Sequence, residues 1–193
     1  LNPGFIQRMT QGRPFVRVKL AMSLDGRTAL ASGESRWLTG EAARQDVQRL
    51  RARASAILTG IGTLLADDPN LNVRLPEAER QPLRVILDTT LRTPPTAQTL
   101  RLPGSVLIFT AVADAALHAP LRATGAEIVV TPRAEQGLNL RAVMAELTRR
   151  ECNEIHVECG PTLAGALLQA GLLDELVVYM APVLLGDKAH GLF

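Results

Sequence analysis

The sequence predicts an α/β domain with a largely parallel sheet. From residue 54 onwards, short runs rich in Val, Ile and Leu alternate with helical patterns, as expected when each strand is followed by a crossover helix. Two of these runs end in glycine corners, at Gly60 and Gly160. A chain of 193 residues is long enough to build one such domain around a single core.

Strand-like alternation begins at residues 15–22, and Asp25-Gly26 favours a tight reversal before a second short strand at 27–31. Thr39 is the expected N-cap of a helix that reaches residue 52. Further strands are predicted at 54–59, 83–87, 106–110, 127–130, 153–158 and 176–180. Further helices are predicted directly after Gly60 and at 113–122, 138–150 and 162–170.

Both ends of the chain fall outside this alternation. Residues 1–13 contain Pro3, Gly4 and Gly12 and are interpreted as a linker or arm from a preceding domain, which leaves residues 14–193 as the domain itself. Beyond Gly186 the sequence shows no clear closing element. We therefore expect the domain to lack its final C-terminal strand.

Composition excludes several classes of function. The net charge is only +2, from 21 basic and 19 acidic residues spread along the chain, and aromatic residues make up 3% of it. A nucleic-acid partner is not expected, because it would call for a basic stripe or stacking aromatic side chains. Cys152 and Cys159 have no Cys or His at metal-ligand spacing, so no metal site is predicted. Without a signal pattern or a long apolar run, we expect a cytoplasmic protein with no membrane partner.

The corner at Gly160 has the most informative pattern. An alternating strand at 153–158 runs into Gly160-Pro161 and then into a helix of small residues. Glycine would allow a turn too sharp for a Cβ atom, and proline suits the first position of a helix. The free N–H groups that follow could bind an anion such as phosphate. The alternative is an ordinary strand-to-helix corner.

A second corner resembles part of a dinucleotide-binding fingerprint. Gly60 and Gly62 have the spacing of its first two glycines, but Leu65 occupies the third position. Two phosphate-binding corners in one chain favour a ligand with a pyrophosphate. Thr89 and Arg92 follow the strand at 83–87 and could bind a ribose and its 2′-phosphate, or could belong to a solvated loop.

Charged residues near these corners could bind the rest of such a ligand. Glu158 is predicted on the same face of its strand as His156. Arg51 and Arg74 could converge on a sugar phosphate, or could lie on the surface. Asp67 could hold a hydroxyl or a water, although the Asp-Asp-Pro-Asn run that it begins also suits the end of a helix.

Longer runs, in order along the chain, resemble the reductase domain of the bifunctional riboflavin-biosynthesis enzymes of the RibD family. They are KLAMSLDGRT at 19–28, ASGESRWLT at 31–39, AILTG at 56–60, LADDPNL at 65–71, ECGPTLAG at 158–165 and APVLLG at 181–186. The resemblance covers residue 14 to the end. It implies a dihydrofolate-reductase-like fold, with a mostly parallel sheet flanked by helices and a late antiparallel strand. It also implies NADPH-dependent reduction of 5-amino-6-(5-phosphoribosylamino)uracil to the ribitylamino compound.

The same resemblance implies which residues form the site. The nicotinamide cofactor would bind at Ala21, Trp37, Thr63, Asp67, Thr89, Gly160, Pro161, Thr162, Leu163, Ala164, Gly165 and Ala166. The substrate would bind at Ser35, Arg51, Leu71, Arg74 and Glu158. Of these, Arg51 and Arg74 would hold the 5′-phosphate, and Asp67 and Glu158 are the predicted catalytic residues. Partners would be a phosphorylated pyrimidine substrate, a preceding zinc deaminase domain, and a second copy in a homodimer built on the late apolar strands.

Two other functions stay open at this point. A non-catalytic cofactor-binding or assembly domain would bind NADPH without oxidising it. A reductase of related specificity would act on a diaminopyrimidine ribosyl phosphate before deamination, or on a pteridine.

Overall fold

A seven-stranded parallel sheet organises the computed structural model, which describes residues 2–32 and 40–192. Its strands are β1 (Phe15–Ser23), β3 (Ala56–Gly60), β4 (Leu83–Leu87), β5 (Val106–Thr110), β6 (Glu127–Val130), β7 (Glu154–Glu158) and β8 (Glu175–Ala181). Two shorter strands, β2 (Arg27–Ala29) and β9 (His190–Gly191), pair antiparallel with each other. The prediction of an α/β domain with a mostly parallel sheet and a late antiparallel strand is confirmed.

Helices follow most of the strands. They are α1 (Pro3–Gln11), α2 (Glu41–Arg53), α3 (Ile61–Asp67), α4 (Gln98–Arg101), α5 (Ala119–Arg122), α6 (Leu140–Arg149) and α7 (Pro161–Gln169). The helix predicted at 113–122 is shorter, because Pro120 cannot donate a hydrogen bond inside a helix and lies instead in the first turn of α5. Thr39, the predicted N-cap of α2, lies outside the described residues, and Gly40 takes the N-cap position. Within the described ranges, no helix has the length and apolar character needed to cross a bilayer.

The amino-terminal segment, predicted as a linker or arm at 1–13, is mostly helical in its described part. Asn2 caps α1 with its side chain, and Gly12 ends the helix with a φ of 68°. Gly4 is buried, and a Cβ atom built on it would lie 2.8 Å from the carbonyl oxygen of Asn153, so α1 packs closely beside β7. The connection of this segment to a preceding domain and the lack of a final C-terminal strand stay predictions.

The order of strands places the site. Across the sheet the order is β6-β5-β4-β3-β7-β1-β8, so the chain builds outward from β1 to β6 and then returns to insert β7 between β1 and β3. Val157 of β7 pairs with Val18 on one side and with Leu58 on the other. Open α/β sheets bind ligands at the carboxyl ends of their strands, where such a reversal leaves a crevice. The topology therefore points to the carboxyl ends of β3 and β7.

The two faces of β1 and β7 differ in polarity. Val18 and Val157 pack with α6 and α7 in an apolar core that also contains buried residues of β3, β4 and β5. Successive side chains of a strand alternate between faces, so Arg17, His156 and Glu158 point the other way, toward α2. This polar face begins with Arg17, which is 3% exposed and donates hydrogen bonds to acidic residues of β7 and β8. The polar side chains near the carboxyl end of β7 thus lie under α2.

Candidate active site at the carboxyl ends of the strands

The two glycine corners lie side by side. Gly60 ends β3, Gly160 precedes α7, and β3 and β7 are hydrogen-bonded neighbours. A Cβ atom built on Gly60 would lie 3.4 Å from Leu163 of α7. Thr59 Oγ1 also donates a hydrogen bond to the carbonyl oxygen of Glu158 at 2.7 Å. The fold therefore brings together two corners that are a hundred residues apart in the sequence.

The start of α7 is open to a ligand. Among the described residues, no side chain caps Gly160, and no heavy atom outside its immediate neighbours lies within 4 Å of a Cβ atom built there. Its φ of −83° suits any residue, so the expected reason for this glycine, a turn too sharp for Cβ, is wrong. The glycine instead leaves the backbone N–H groups unobstructed at the positive end of a helix, which favours a phosphate.

The residues of α7 present different groups to this opening. Ala164 is fully buried, and its N–H donates to the carbonyl oxygen of Gly160 at 3.2 Å. Its side chain therefore packs in the core, and its N–H is already used within the helix. Thr162 is exposed and Leu163 is half-buried, and both lie in the first turn. The other predicted members of this run, Pro161, Gly165 and Ala166, are half-buried. A phosphate here would meet the N–H groups of Thr162 and Leu163.

An ion pair lies beside the Gly160 corner. Arg51 donates from Nε and Nη2 to the two carboxylate oxygens of Glu158 at 2.6 and 2.8 Å, and from Nη1 to the carbonyl oxygen of Asn72 at 2.9 Å. Arg51 is only 8% exposed. Burial alone would raise the pKa of Glu158, but the charge and hydrogen bonds of Arg51 outweigh it and hold that pKa well below its ordinary value. Glu158 is therefore ionised at neutral pH.

His156 adjoins this pair. It lies two residues before Glu158 on the same face of β7, with its Nε2 at 3.3 Å from Glu158 Oε1. The ring is fully buried, and its Nδ1 has no hydrogen-bond partner in the part of the chain that the structure describes. Sequence patterns gave His156 no role in the site. The alternation of β7 was the signal that could have given it one.

The predicted substrate residues Leu71 and Arg74 lie in one loop after α3. Leu71 is buried and has a φ of 48°, so its contribution to a site is to shape the loop. Arg74 is exposed, and its guanidinium makes no hydrogen bond or ion pair with any residue in the described ranges. Of the two predicted phosphate ligands, Arg74 is therefore free to bind, whereas each nitrogen of the Arg51 guanidinium already donates within the protein.

Asp67 and Thr63 lie on α3, which starts at the Gly60 corner. Thr63 is half-buried, and Asp67 is exposed at the last position of the helix. Asp68 takes the C-cap position with a φ of 42° and accepts a hydrogen bond from the N–H of Gln98 at 2.9 Å. The helix-end interpretation therefore holds for Asp68, while the carboxylate of Asp67 has no partner among the residues that the structure covers.

Thr89 follows β4 at the same edge of the sheet. The preceding residue, Asp88, is fully buried, and its Oδ2 accepts hydrogen bonds from the N–H and the Oγ1 of Thr93, both at 2.7 Å. Gly137 approaches from the loop after β6, where a built Cβ atom would lie 3.6 Å from Thr89 Oγ1. Asp88 thus fixes the turn that exposes Arg92, so this loop is anchored at its base.

Strand β1 adds side chains that the sequence patterns missed. Lys19 pairs with Glu158 in register, and its Nζ lies 5.8 Å from the centroid of the Tyr179 ring. Tyr179 donates a hydrogen bond to Asp46 Oδ2 of α2 at 2.7 Å, and burial together with this carboxylate raises the pKa of the phenol. Ala21, a predicted cofactor residue, is half-buried and pairs with Tyr179. Ser35 and Trp37 lie outside the described residues.

Two further observations concern surface depressions and metal ions. A shallow depression of about 560 Å³ lies along α3 and α4, and none of the predicted site residues lines it. Over residues 2–32 and 40–192, no three His, Cys, Asp or Glu side chains are grouped so that they could hold a metal ion.

Comparison with known proteins assigns the family. The family described as the RibD C-terminal domain matches residues 14–193. The chain belongs to the RibD C-terminal domain family. RibD of Escherichia coli (strain K12) is 45% identical over an alignment of 204 positions, which covers 100% of this chain and 54% of that protein. The chain spans about half the length of the curated RibD relatives that it matches.

Solved structures agree with this assignment. RibD of Acinetobacter baumannii, form 1, superposes with a TM-score of 0.88 at 43% identity, over 100% of this chain and 53% of that one. A Thermotoga maritima protein has a TM-score of 0.82 at 28% identity, over 98% of this chain and 50% of that one. It is named a diaminohydroxyphosphoribosylaminopyrimidine deaminase/5-amino-6-(5-phosphoribosylamino)uracil reductase. The dihydrofolate-reductase-like fold expected of RibD is confirmed.

Proposed function

We propose that this domain is an NADPH-dependent reductase. Its reaction converts 5-amino-6-(5-phosphoribosylamino)uracil to 5-amino-6-(5-phosphoribitylamino)uracil in riboflavin biosynthesis. The observation that carries the proposal is the open helix start at Gly160, which lies directly beside the ionised carboxylate of Glu158. An anion site and a fixed negative charge at one sheet edge suit a phosphate-bearing cofactor and a substrate that becomes cationic as it reacts.

The residues present fit a nicotinamide dinucleotide. The N–H groups of Thr162 and Leu163 would bind its pyrophosphate, since glycine at position 160 leaves them accessible. Thr89 and the exposed Arg92 would hold the adenosine ribose and the 2′-phosphate that distinguishes NADPH. Ala21, Trp37, Thr63 and Asp67 complete the proposed cofactor set. Bound NADPH supplies the hydride, and the protein supplies position and charge.

The substrate would be held by charge and made reactive by ring opening. Arg74 binds the 5′-phosphate, with Ser35 and the loop shaped by Leu71 completing its site. When the ribose ring opens, C1′ and its nitrogen form an iminium ion, and O4′ takes up a proton. Glu158, ionised and fixed, stabilises this cation and leaves proton donation to other groups. Asp67 binds a sugar hydroxyl, and the reduction of C1′ leaves a secondary amine.

Arg51 receives a different role from the one that the resemblance implies. Because its guanidinium bonds Glu158 and the loop at Asn72, we assign it to hold these groups in place, and the phosphate goes to Arg74. Glu158 without Arg51 would be a partly buried charge without a partner, with a higher pKa and a less defined position.

Absorbance of the reduced nicotinamide tests the reductase directly. NADPH is mixed with the protein, with and without the ribosylaminouracil phosphate, and binding of NADPH alone is titrated in parallel. Oxidation that depends on the substrate supports the proposal. Binding without turnover supports the non-catalytic cofactor-binding alternative, and absence of binding contradicts both. Substitution of the diaminopyrimidine or a pteridine for the uracil compound tests the related specificities.

We also propose that the protein forms a homodimer. Strand β8 is at the edge of the sheet, and its Leu176 and Met180 are 39% and 56% exposed. A second copy would cover these side chains. Light scattering that gives a monomer mass at micromolar concentration would contradict this arrangement.

A further inference from the structure

The inner face of α2 holds the loop that carries Arg74. Gln48 and Arg51 are three residues apart, so they point the same way, and they are 9% and 8% exposed. Arg51 Nη1 donates to the carbonyl oxygen of Asn72 at 2.9 Å, and Gln48 Oε1 accepts a hydrogen bond from the N–H of Arg74 at 2.8 Å. One helical turn of α2 thus bonds alternate residues of the segment 71–74.

A second glutamine holds the same segment from outside α2. Gln81 Oε1 accepts from the N–H of Val73 at 2.8 Å, and Gln81 Nε2 donates to the Val73 carbonyl oxygen at 2.9 Å. The side-chain amide of Gln81 thus bonds both backbone groups of Val73, as a residue of a neighbouring antiparallel β-strand would. Leu71 and Val73 are buried, at 1% and 4% exposure, so the backbone is fixed by both packing and hydrogen bonds. The side chain of Arg74 is the part that remains exposed and unpaired in the described structure.

We propose that Gln48 is a positioning residue for the substrate phosphate, acting through the backbone of Arg74. This rests on the proposed role of Arg74 as the phosphate ligand. An arginine whose backbone is already fixed loses less conformational freedom when its guanidinium binds a phosphate, so binding is tighter. Gln48 and Arg51 together link α2 to Arg74 and to Glu158, which sets the distance between the phosphate end and the reacting end of the substrate.

The proposal predicts a selective loss in Gln48→Met, which keeps the length of the side chain and removes the acceptor. KM for the phosphorylated substrate should rise about fivefold, the equivalent of one ordinary hydrogen bond. The KM for NADPH and kcat should stay within about twofold, because other residues hold the cofactor. Gln45→Met is the matched control, since Gln45 is exposed on the same helix and its side chain bonds Glu41 on the helix surface.

A second readout separates this proposal from the reductase itself. Hydrogen exchange of the Arg74 amide should be about tenfold faster in Gln48→Met than in the parent protein, and titration with ribose 5-phosphate should show weaker binding. Both measurements work even if the parent protein oxidises no NADPH, an outcome that would contradict only the proposed function. Unchanged exchange and phosphate affinity in Gln48→Met would overturn the role of Gln48. Equal rises in the KM values for substrate and for NADPH would overturn it as well.

Discussion

Arg51 Nε and Nη2 bond both carboxylate oxygens of Glu158, at 2.6 and 2.8 Å, across 107 residues of sequence. The pair joins α2 to the end of β7, next to the opening at Gly160. Both side chains are largely buried, at 10% and 16% side-chain exposure, so each needs the other as its counter-charge. The contact therefore bears on stability and on the chemistry of the site together.

Removing one member of the Arg51–Glu158 pair should destabilise the folded protein. Arg51→Met leaves Glu158 without a counter-charge, and the free energy of unfolding should fall by about 3–5 kcal/mol. Urea unfolding followed by circular dichroism measures the loss. The double variant Arg51→Met with Glu158→Met should be more stable than Arg51→Met alone, since no unpaired charge remains. Arg149→Met is the control, because its ion pair with Glu146 is on the surface and should change stability little.

The same pair predicts a dependence of stability on pH. The pKa of Glu158 is lowered in the folded protein, so its contribution is complete above the ordinary pKa of 4.5 and is lost as pH falls toward the folded value. The difference in unfolding free energy between the parent protein and Glu158→Gln should be constant from neutral pH to about pH 5 and should shrink below it. A difference that grows on acidification would mean that the folded pKa is raised.

Arg84 should be a second stabilising residue. It is 1% exposed, and burial lowers the pKa of its guanidinium, which donates to the carbonyl oxygens of Thr99, Leu102, Pro103 and Gly104. Arg84→Met leaves these acceptors without a donor, and the free energy of unfolding should fall by about 3 kcal/mol or more. Arg101→Met, an exposed change in α4, should cost much less. A loss below about 1 kcal/mol for Arg84→Met would show that water replaces the guanidinium.

Gly160→Val should weaken NADPH binding and leave the stability of the fold nearly unchanged. Its backbone is extended, at φ −83° and ψ 179°, and valine would point into open space, so stability should change by less than about 1 kcal/mol. The added side chain obstructs the N–H groups of α7, and Kd for NADPH should rise by about tenfold or more. Gly40→Val is a matched control at the N-cap of α2, with φ −72° and ψ 178°. Full NADPH affinity in Gly160→Val would remove α7 from the phosphate site.

Arg74→Ala should weaken the substrate and spare the cofactor. A charge-assisted phosphate contact is worth about 1.5–3 kcal/mol, so KM for the substrate should rise by about one to two decades. The KM for NADPH should stay close to that of the parent protein. Arg80→Ala is the control, because Arg80 is exposed and its one hydrogen bond to a described residue is a long one, to the Arg53 carbonyl oxygen at 3.5 Å. Equal effects of the two substitutions would mean that general charge, and not a specific contact, attracts the phosphate.

Local patterns predicted the elements that local chemistry determines. The strands at Leu83–Leu87, Val106–Thr110 and Glu127–Val130 begin and end where the apolar runs predict. Val106–Thr110 is buried along its whole length, as expected of a strand inside a parallel sheet, whereas Glu127–Val130 at the sheet edge buries only Ile128. The helical conformation of α1 was not predicted, although Asn2, Pro3 and Gly12 are its start and stop signals, since a short segment of polar and apolar residues is also typical of a linker.

The site was predictable only in part, for a different reason. Each glycine corner has a local pattern, and the resemblance to RibD located Arg51, Arg74 and Glu158. No local pattern shows that Arg51 bonds Glu158, because that contact depends on how α2 packs over β7. Alternation along β7 already placed His156 on the same face as Glu158, but Lys19 emerged as a neighbour of Glu158 only from the register between β1 and β7.

The insertion of β7 between β1 and β3 also determines when the sheet can fold during synthesis. Domains begin to fold from the amino terminus as the chain is made, but here the middle of the sheet is missing until residue 158 has been added. Until then β1 and β3 each expose an unpaired edge, and such edges promote association between chains. A nascent chain that stalls before β7 should therefore depend on chaperones, and the site can assemble only after β7 has been made.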